Sequence, residues 1–359
     1  ARNTASGQNA TAIGYGNTSK VEDTITMGTS NNANIGGGIA IGQNNLADST
    51  VGGGRAAGNT MIAIGRENEA TAEDTVAIGR KTKASANVSV ALGARSEATG
   101  SGAIAIAGNG EGYKTTATNT GSIAIGMQSN STGVASTAVG GVAQATGKGS
   151  AALGYRAEAT AESATALGNG ASASVKDGVA LGSNSKATVD KGIQGFNPAT
   201  GRTNKYSDQA GAVGTSTLAA VSVGDGANAT RQITGLAAGT EDTDAVNVAQ
   251  LKNVNLKFAG NSGNGDVLLK DGTLNVKGEG LISTSADNDG IKVKLTQGGP
   301  ITADNTGKAK EPTNNGVATT QNVVQAINNS GWNATAGSED GGTHTGNPVS
   351  AIVKPGNTV

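Results

Sequence analysis

A small–large–Gly triplet recurs at intervals of 14 residues in this chain, and nothing else in the sequence limits its fold so sharply. The closing glycine falls at Gly14, Gly28 and Gly42, then at Gly65, Gly79 and Gly93, then at Gly126, Gly140, Gly154, Gly168 and Gly182. Ala105-Ile106-Ala107 is a degenerate copy, and Val221-Ser222-Val223-Gly224 is a last one. Stretches at 51–59, 108–120 and 196–209 interrupt the register. A disordered polar chain has no reason to place Ile or Leu before Gly at a fixed interval, which argues against mere low complexity.

Fourteen residues accommodate two short strands and two tight turns. The closing glycine then ends the first strand, where the chain turns, often with positive φ. Side chains alternate along that strand. Ser122, Ala124 and Gly126 point one way and Ile123 and Ile125 the other; Ile39/Ile41, Val76/Ile78, Val90/Leu92 and Ile104/Ile106 repeat the pattern. The small residues suit the interior of a flat coil. The larger ones need a second apolar surface, which neighbouring copies of the chain would supply. The second strand, as at 96–99 and 157–162, carries charge and would face solvent, which discourages edge pairing. At about 4.8 Å per coil, roughly 13 to 14 coils make a rod of roughly 60–70 Å.

Composition agrees with a thin core. There are 58 Gly but only two Phe, four Tyr and one Trp. A core of Ala, Val, Ile and Leu suits a narrow repetitive element, or one shared between chains. Basic and acidic residues number 26 and 27, and no basic stripe accompanies aromatics, which argues against a nucleic-acid partner. The lack of cysteine excludes disulfides, thiolate metal sites and Cys nucleophiles. No stretch approaches the ~18 apolar residues of a membrane helix, and no signal peptide is recognised. An exported protein would therefore be represented here by an excised piece. Among repeat families, hexapeptide acyltransferases use coils of about eighteen residues and a catalytic His, whereas His344 lies far outside the repeats. Calcium-binding nonapeptide rolls need an Asp in every unit. The Thr-x-Thr ladder of ice-binding solenoids is not in register here.

The repeats S-V-A-L-G at 89–93, S-I-A-I-G at 122–126 and T-V-A-I-G at 75–79 resemble those of the YadA-type head of trimeric autotransporter adhesins. Residues 221–251 resemble the family's neck along almost their whole length. Residues 196–209 resemble a head insert carried just before the neck, and 317–336 the start of a Trp-ring domain. The resemblance implies an all-β-dominated fold: a trimeric left-handed parallel β-roll with 14-residue coils, a neck, short trimeric coiled-coil segments and small β-rich stalk domains. It implies an obligate homotrimer on a Gram-negative surface, held in the outer membrane by a C-terminal β-barrel anchor absent from this chain. It also implies binding to extracellular-matrix proteins of collagen, fibronectin or laminin type, self-association between cells, and biofilm formation. In some members collagen binding involves S-V-A-I-G-type repeats. Carried onto matching positions, the ligand-binding candidates are Ser89, Val90, Ala91, Leu92 and Gly93, with Ser122, Ile123, Ala124, Ile125 and Gly126.

The expected domains are a head at 1–220 with an insert near 191–210, a neck and short coiled coil at 221–258, and a β-rich stalk domain at 259–310. A second neck or coiled-coil segment follows at 311–330, and the start of a Trp-ring-type domain at 331–359. Residues 242–244 read as helix N-caps. Val248, Leu251, Asn255 and Phe258 then fall at heptad spacing, and Asn255 would be a polar core position that fixes register. Asp271-Gly272 and Asp289-Gly290 are hairpin signals. Val317, Thr320, Val324 and Ile327 again have heptad spacing, and Ala351-Ile352-Val353 reads as a strand without a partner in view. The expected trimer core is Ile64, Ile78, Leu92, Ile125, Leu153, Leu167 and Leu181 in the head, with Val248, Leu251, Asn255, Val324, Ile327 and Trp332 beyond it.

No catalytic, metal or cofactor site is expected. His344 sits in a loop-like stretch, and the glycine runs at 36–38 and 52–54 have no Lys-Ser/Thr and no following helix pattern. Function then resides in a repeated surface that gains avidity from multiplicity. Two other readings stand beside the adhesin: a spacer that displays other domains, and a trimeric phage fibre with or without glycan-cleaving activity.

Overall fold

The computed structural model describes residues 2–48, 60–107, 112–195, 214–335 and 350–357. Two units share the chain, Ala1–Ala245 and Val246–Val359, so residues 221–245 go with the head.

The first unit is a solenoid of two parallel sheets, each thirteen strands wide. Every strand pairs with its equivalent in the coils before and after, as in Val76↔Val90, Ala77↔Ala91 and Ile78↔Leu92. The sequence interruptions leave these ladders intact. Ile39 pairs with Ile62 across the first, Ile104 with Ile123 across the second, and Val179 with Val221 across the third. The last degenerate repeat therefore does supply the final rung.

Alternation places alanine between the sheets. Ala40, Ala63, Ala77, Ala91 and Ala105 from one sheet and Ala33, Ala47, Ala70, Ala84 and Ala98 from the other are fully buried. Among the described residues Ile35 and Met61 are the only larger apolar side chains so enclosed. Each buried methyl contributes about 0.8 kcal/mol, and the coil is too flat for more. The closing glycines turn as expected. At Gly28 φ is 115°, and a Cβ there would stand 2.1 Å from the carbonyl oxygen of Gly42 in the next coil. Conformation and space both demand glycine.

The corners hold something the repeat pattern did not announce. Non-glycine residues also adopt left-handed backbone there, among them Glu67, Asp74, Lys81, Val88, Val142 and Arg156, at φ of 54–60°.

The second unit departs from the heptad expectation. Helix α1 spans only Val248–Lys252, and its N-cap is Asn247, in a capping box with Gln250, rather than residues 242–244. Asp244 instead closes a turn, accepting from the amides of Thr240 and Glu241. Asn255 and Phe258 lie on the strand Asn255–Ala259, antiparallel to Asn264–Leu268. Asn255 is thus not a helical core position. A one-turn helix is unstable by itself, and alternation around Gly-Asn-Ser-Gly favours a hairpin.

The Asp289-Gly290 signal does mark a hairpin, Ile282–Asp287 with Gly290–Leu295. Asp271-Gly272 does not, because the Gly272 amide turns back onto the Leu268 carbonyl. Helix α2 spans Thr320–Asn329 with Thr319 as N-cap, so Val317 falls outside it and bridges to Gln297. Val324 and Ile327 lie on α2 and are exposed. Ala351-Ile352-Val353 has a partner after all, the strand Trp332–Thr335, with Trp332 opposite Val353. Trp332 is 56% exposed in this chain rather than enclosed. Among the described residues of this unit no hydrophobic side chain is buried. His344, the glycines at 52–54 and the head insert at 196–209 lie outside the described residues.

Candidate functional site

The solenoid offers two long outward faces. On one, the residues that alternate with the inward ones point away from the core. Ile13, Ile25, Met27, Ile78, Ile125, Leu153, Leu167 and Leu181 are exposed there, and Ile64 and Leu92 are half-buried. Parallel register lines them up at one rung per coil, as in Leu153↔Leu167↔Leu181. All seven head residues expected in the trimer core lie on this face. At its lower end Leu167, Leu181, Val221, Val223 and Ile233 line an open, apolar cleft of about 600 Å³. An exposed apolar surface so long and regular marks an interaction site.

The residues expected to touch a ligand divide between inside and outside. Ser89, Ala91, Ser122 and Ala124 are fully buried within the coil, so their side chains are out of a ligand's reach. The Ser122 hydroxyl donates to the Asn119 carbonyl at 2.7 Å, a turn-forming role. Val90, Leu92, Ile123 and Ile125 lie on the apolar face, and Gly93 and Gly126 are closing glycines.

The opposite face is polar. Glu69, Lys83 and Glu97 alternate in sign on successive rungs. Lys83 Nζ lies 3.5 Å from Glu69 on this face, and at the turns Lys81 Nζ lies 3.5 Å from Glu67 and Lys176 Nζ 3.2 Å from Glu162. Such exposed pairs contribute about 0–1 kcal/mol each; their effect is a solvated surface without net charge. Further along, Thr118, Thr132, Thr146 and Thr160 form a column of hydroxyls.

The carboxylates with displaced pKa values are all turn-formers. Hydrogen bonds from the amides of Ala229, Ala227 and Asn228 push Asp225 down to about 2. The amides of Thr240 and Glu241 lower Asp244, and the Lys292 side chain lowers Asp287. Each shift favours the charged form and none prepares a proton donor. Among the described residues no group of three or more His, Asp or Glu could hold a metal ion. Among the described residues no helix is long and apolar enough to cross a membrane.

A model of the YadA head domain repeat matches residues 5–25, 62–82, 70–96, 84–106, 112–129, 131–157 and 159–187, which are coils of the solenoid. A model of the coiled stalk of trimeric autotransporter adhesins matches 232–273. The chain belongs to the YadA-like trimeric autotransporter adhesins. It is 39% identical over 103 residues to the autotransporter adhesin BadA of Bartonella henselae, a match covering 28% of this chain and 3% of BadA. The collagen-binding domain of the Yersinia adhesin YadA is 28% identical, with a TM-score of 0.33, over 50% of this chain and 82% of that domain. Both family models describe adhesin modules rather than enzymes. Within this YadA-like chain the stalk model falls on the end of the first unit, α1 and the hairpin after it.

Proposed function

We propose that three copies of this chain pack through the apolar face and form a cell-surface adhesin head. The observation that carries this reading is the register of that face: at least one large apolar residue per coil, exposed or half-buried, aligned along the solenoid. The second unit adds support, since Val248, Leu251, Val324, Ile327 and Trp332 are all exposed in a single chain and need partners. Packing the apolar faces inward leaves the polar faces outward, each presented three times. Weak contacts repeated in this way gain about 10²–10⁴ in avidity. That suits attachment to collagen, fibronectin or laminin, and association between cells in aggregates and biofilm.

Light scattering over a dilution series tests the assembly. A mass of three chains that persists on dilution is expected, and a Leu167→Glu/Leu181→Glu variant is expected to lose it. A folded, compact monomer would overturn the reading. Binding to immobilised matrix proteins then tests the ligand class. The burial of Ser89, Ala91, Ser122 and Ala124 favours a second reading, in which the head is a spacer and these repeats serve the fold alone. A stable trimer that binds none of the matrix proteins is the result that reading expects.

A further inference from the structure

A solenoid has to satisfy its last coil without a next one. Within the head, two carbonyls at the closing-glycine corner of each coil accept from the coil that follows. The residue after the closing glycine is one: Tyr155 O accepts from the Gly170 amide at 2.9 Å, and Asn169 O from the Asn184 amide at 2.8 Å. The residue before the glycine is the other: Leu153 O accepts from the Gly168 amide at 2.8 Å, and Leu167 O from the Gly182 amide at 2.7 Å. At the end of the series the chain returns only for the short strand Val221–Ser222. Ser183 and Val223 occupy these two acceptor columns with no complete coil beyond them.

One side chain fills both places. Arg231 Nη2 donates to the Ser183 carbonyl, and Nη1 donates to the Val223 carbonyl. Nη1 also donates to Ser185 Oγ at 3.0 Å. The guanidinium lies against Gly182, where a Cβ would stand 3.0 Å from its central carbon. Asp225 brings the arginine into position. Its carboxylate accepts from the amides of Ala227, Asn228 and Ala229 at 3.0, 2.8 and 2.7 Å, and its own amide donates to the Ala229 carbonyl at 3.0 Å. The chain thereby doubles back over the open end, and Ile233 reaches the apolar cleft beside Leu181.

We propose that residues 224–233 are a strap that closes the C-terminal end of the solenoid, latched by Arg231, whose guanidinium supplies the donors a further coil would have supplied. The strap otherwise has no regular secondary structure and is largely exposed; it is tied at its start, where the Lys186 amide donates to the Gly224 carbonyl at 2.7 Å, and the latch holds it beyond that point. Opening it bares unpaired carbonyls at a sheet end, where another strand can add. The latch is thus also a guard against end-to-end pairing of heads. A fork of donors is required for two divergent carbonyls, and lysine's point charge does not replace it.

Hydrogen exchange on the full 359-residue chain tests this. In Arg231→Ala the amides of Lys186, Asp225 and residues 227–229 are expected to exchange at least tenfold faster, while those of 138–153 are unchanged. Arg231→Lys is expected to behave like Arg231→Ala, and Lys148→Ala, an exposed charge in mid-head, like the unaltered chain. Unchanged exchange in Arg231→Ala would overturn the latch. Full protection in Arg231→Lys would overturn the requirement for the fork. Faster exchange throughout the head would overturn the local role.

Discussion

Three residues after the closing glycine, the early coils carry asparagine, at Asn17, Asn31, Asn45 and Asn68, with Asn3 fourteen residues before Asn17; three later coils carry alanine, at Ala143, Ala157 and Ala171. The two regions satisfy the same backbone groups in different ways. Asn31 is buried, and both its amide and its Nδ2 reach Asn17 Oδ1 at 3.0 Å. Its Nδ2 also reaches the Met27 carbonyl at 2.9 Å and the Gly42 carbonyl of the next coil at 2.8 Å. Its own Oδ1 accepts from the amide and Nδ2 of Asn45. The ladder ends at Thr82, whose amide donates to Asn68 Oδ1. In the alanine coils the amide at this position donates instead to the closing glycine of its own turn, as Ala157 does to Gly154 at 3.2 Å. The strand before the glycine shortens as well, from five residues in Ile39–Gln43 to three in Ala151–Leu153. Asparagine coils are therefore coupled through their side chains, and alanine coils close this corner locally.

The comparison is exposed to five measurements. The largest expected effect is from Asn31→Ala, which leaves the Gly42 and Met27 carbonyls and the Asn45 amide short of partners in a buried place. Partner loss of this kind costs about 3 kcal/mol, read as a lowered urea midpoint. Next, Val142→Gly is expected to stabilise by about 1 kcal/mol, because a β-branched residue is held in left-handed backbone there. Asn44→Gly at the equivalent corner of the asparagine region should shift stability by only a few tenths of a kcal/mol, since asparagine tolerates that conformation.

Smaller again is Ala157→Ser, expected to stay within about 0.5 kcal/mol, because Ser129 and Ser185 occupy the same column. Were it to cost as much as Asn31→Ala, the distinction between the regions would fail. The most local effect is that of acid. Asp225 is depressed in the folded chain to about 2. Its contribution is present above the ordinary carboxylate value near 4 and is lost as pH falls through about 2. Amide protection at 227–229 is expected to fall across that window. The asparagine ladder has no group that titrates there and should keep its protection.

Much of the head was legible from the repeat. The parallel coils, the alternation of Ile123 and Ile125 about Ala124, the turning glycines and the final rung at Val221 all follow from a period that each coil states for itself. The apolar face was legible for the same reason. The ligand assignment was less so, because matching a motif does not separate inward Ser89 and Ala91 from outward Val90 and Leu92 unless alternation is applied to it. Beyond the head, heptad spacing at Val248, Leu251, Asn255 and Phe258 competed with strand alternation over the same residues. The glycines at 260, 263 and 265 were the signal for the hairpin.

The sequence by itself determined the coil length, which residues face inward, where glycine is obligatory, and the family. These are local properties, restated every 14 residues. Only the tertiary structure decided what each polar side chain meets. Asn17 and Asn31 are 14 residues apart, and Arg231 lies 46 residues from Ser185. An asparagine or arginine has several donors and can serve many acceptors. Which ones it serves depends on how coils stack and where the last one stops.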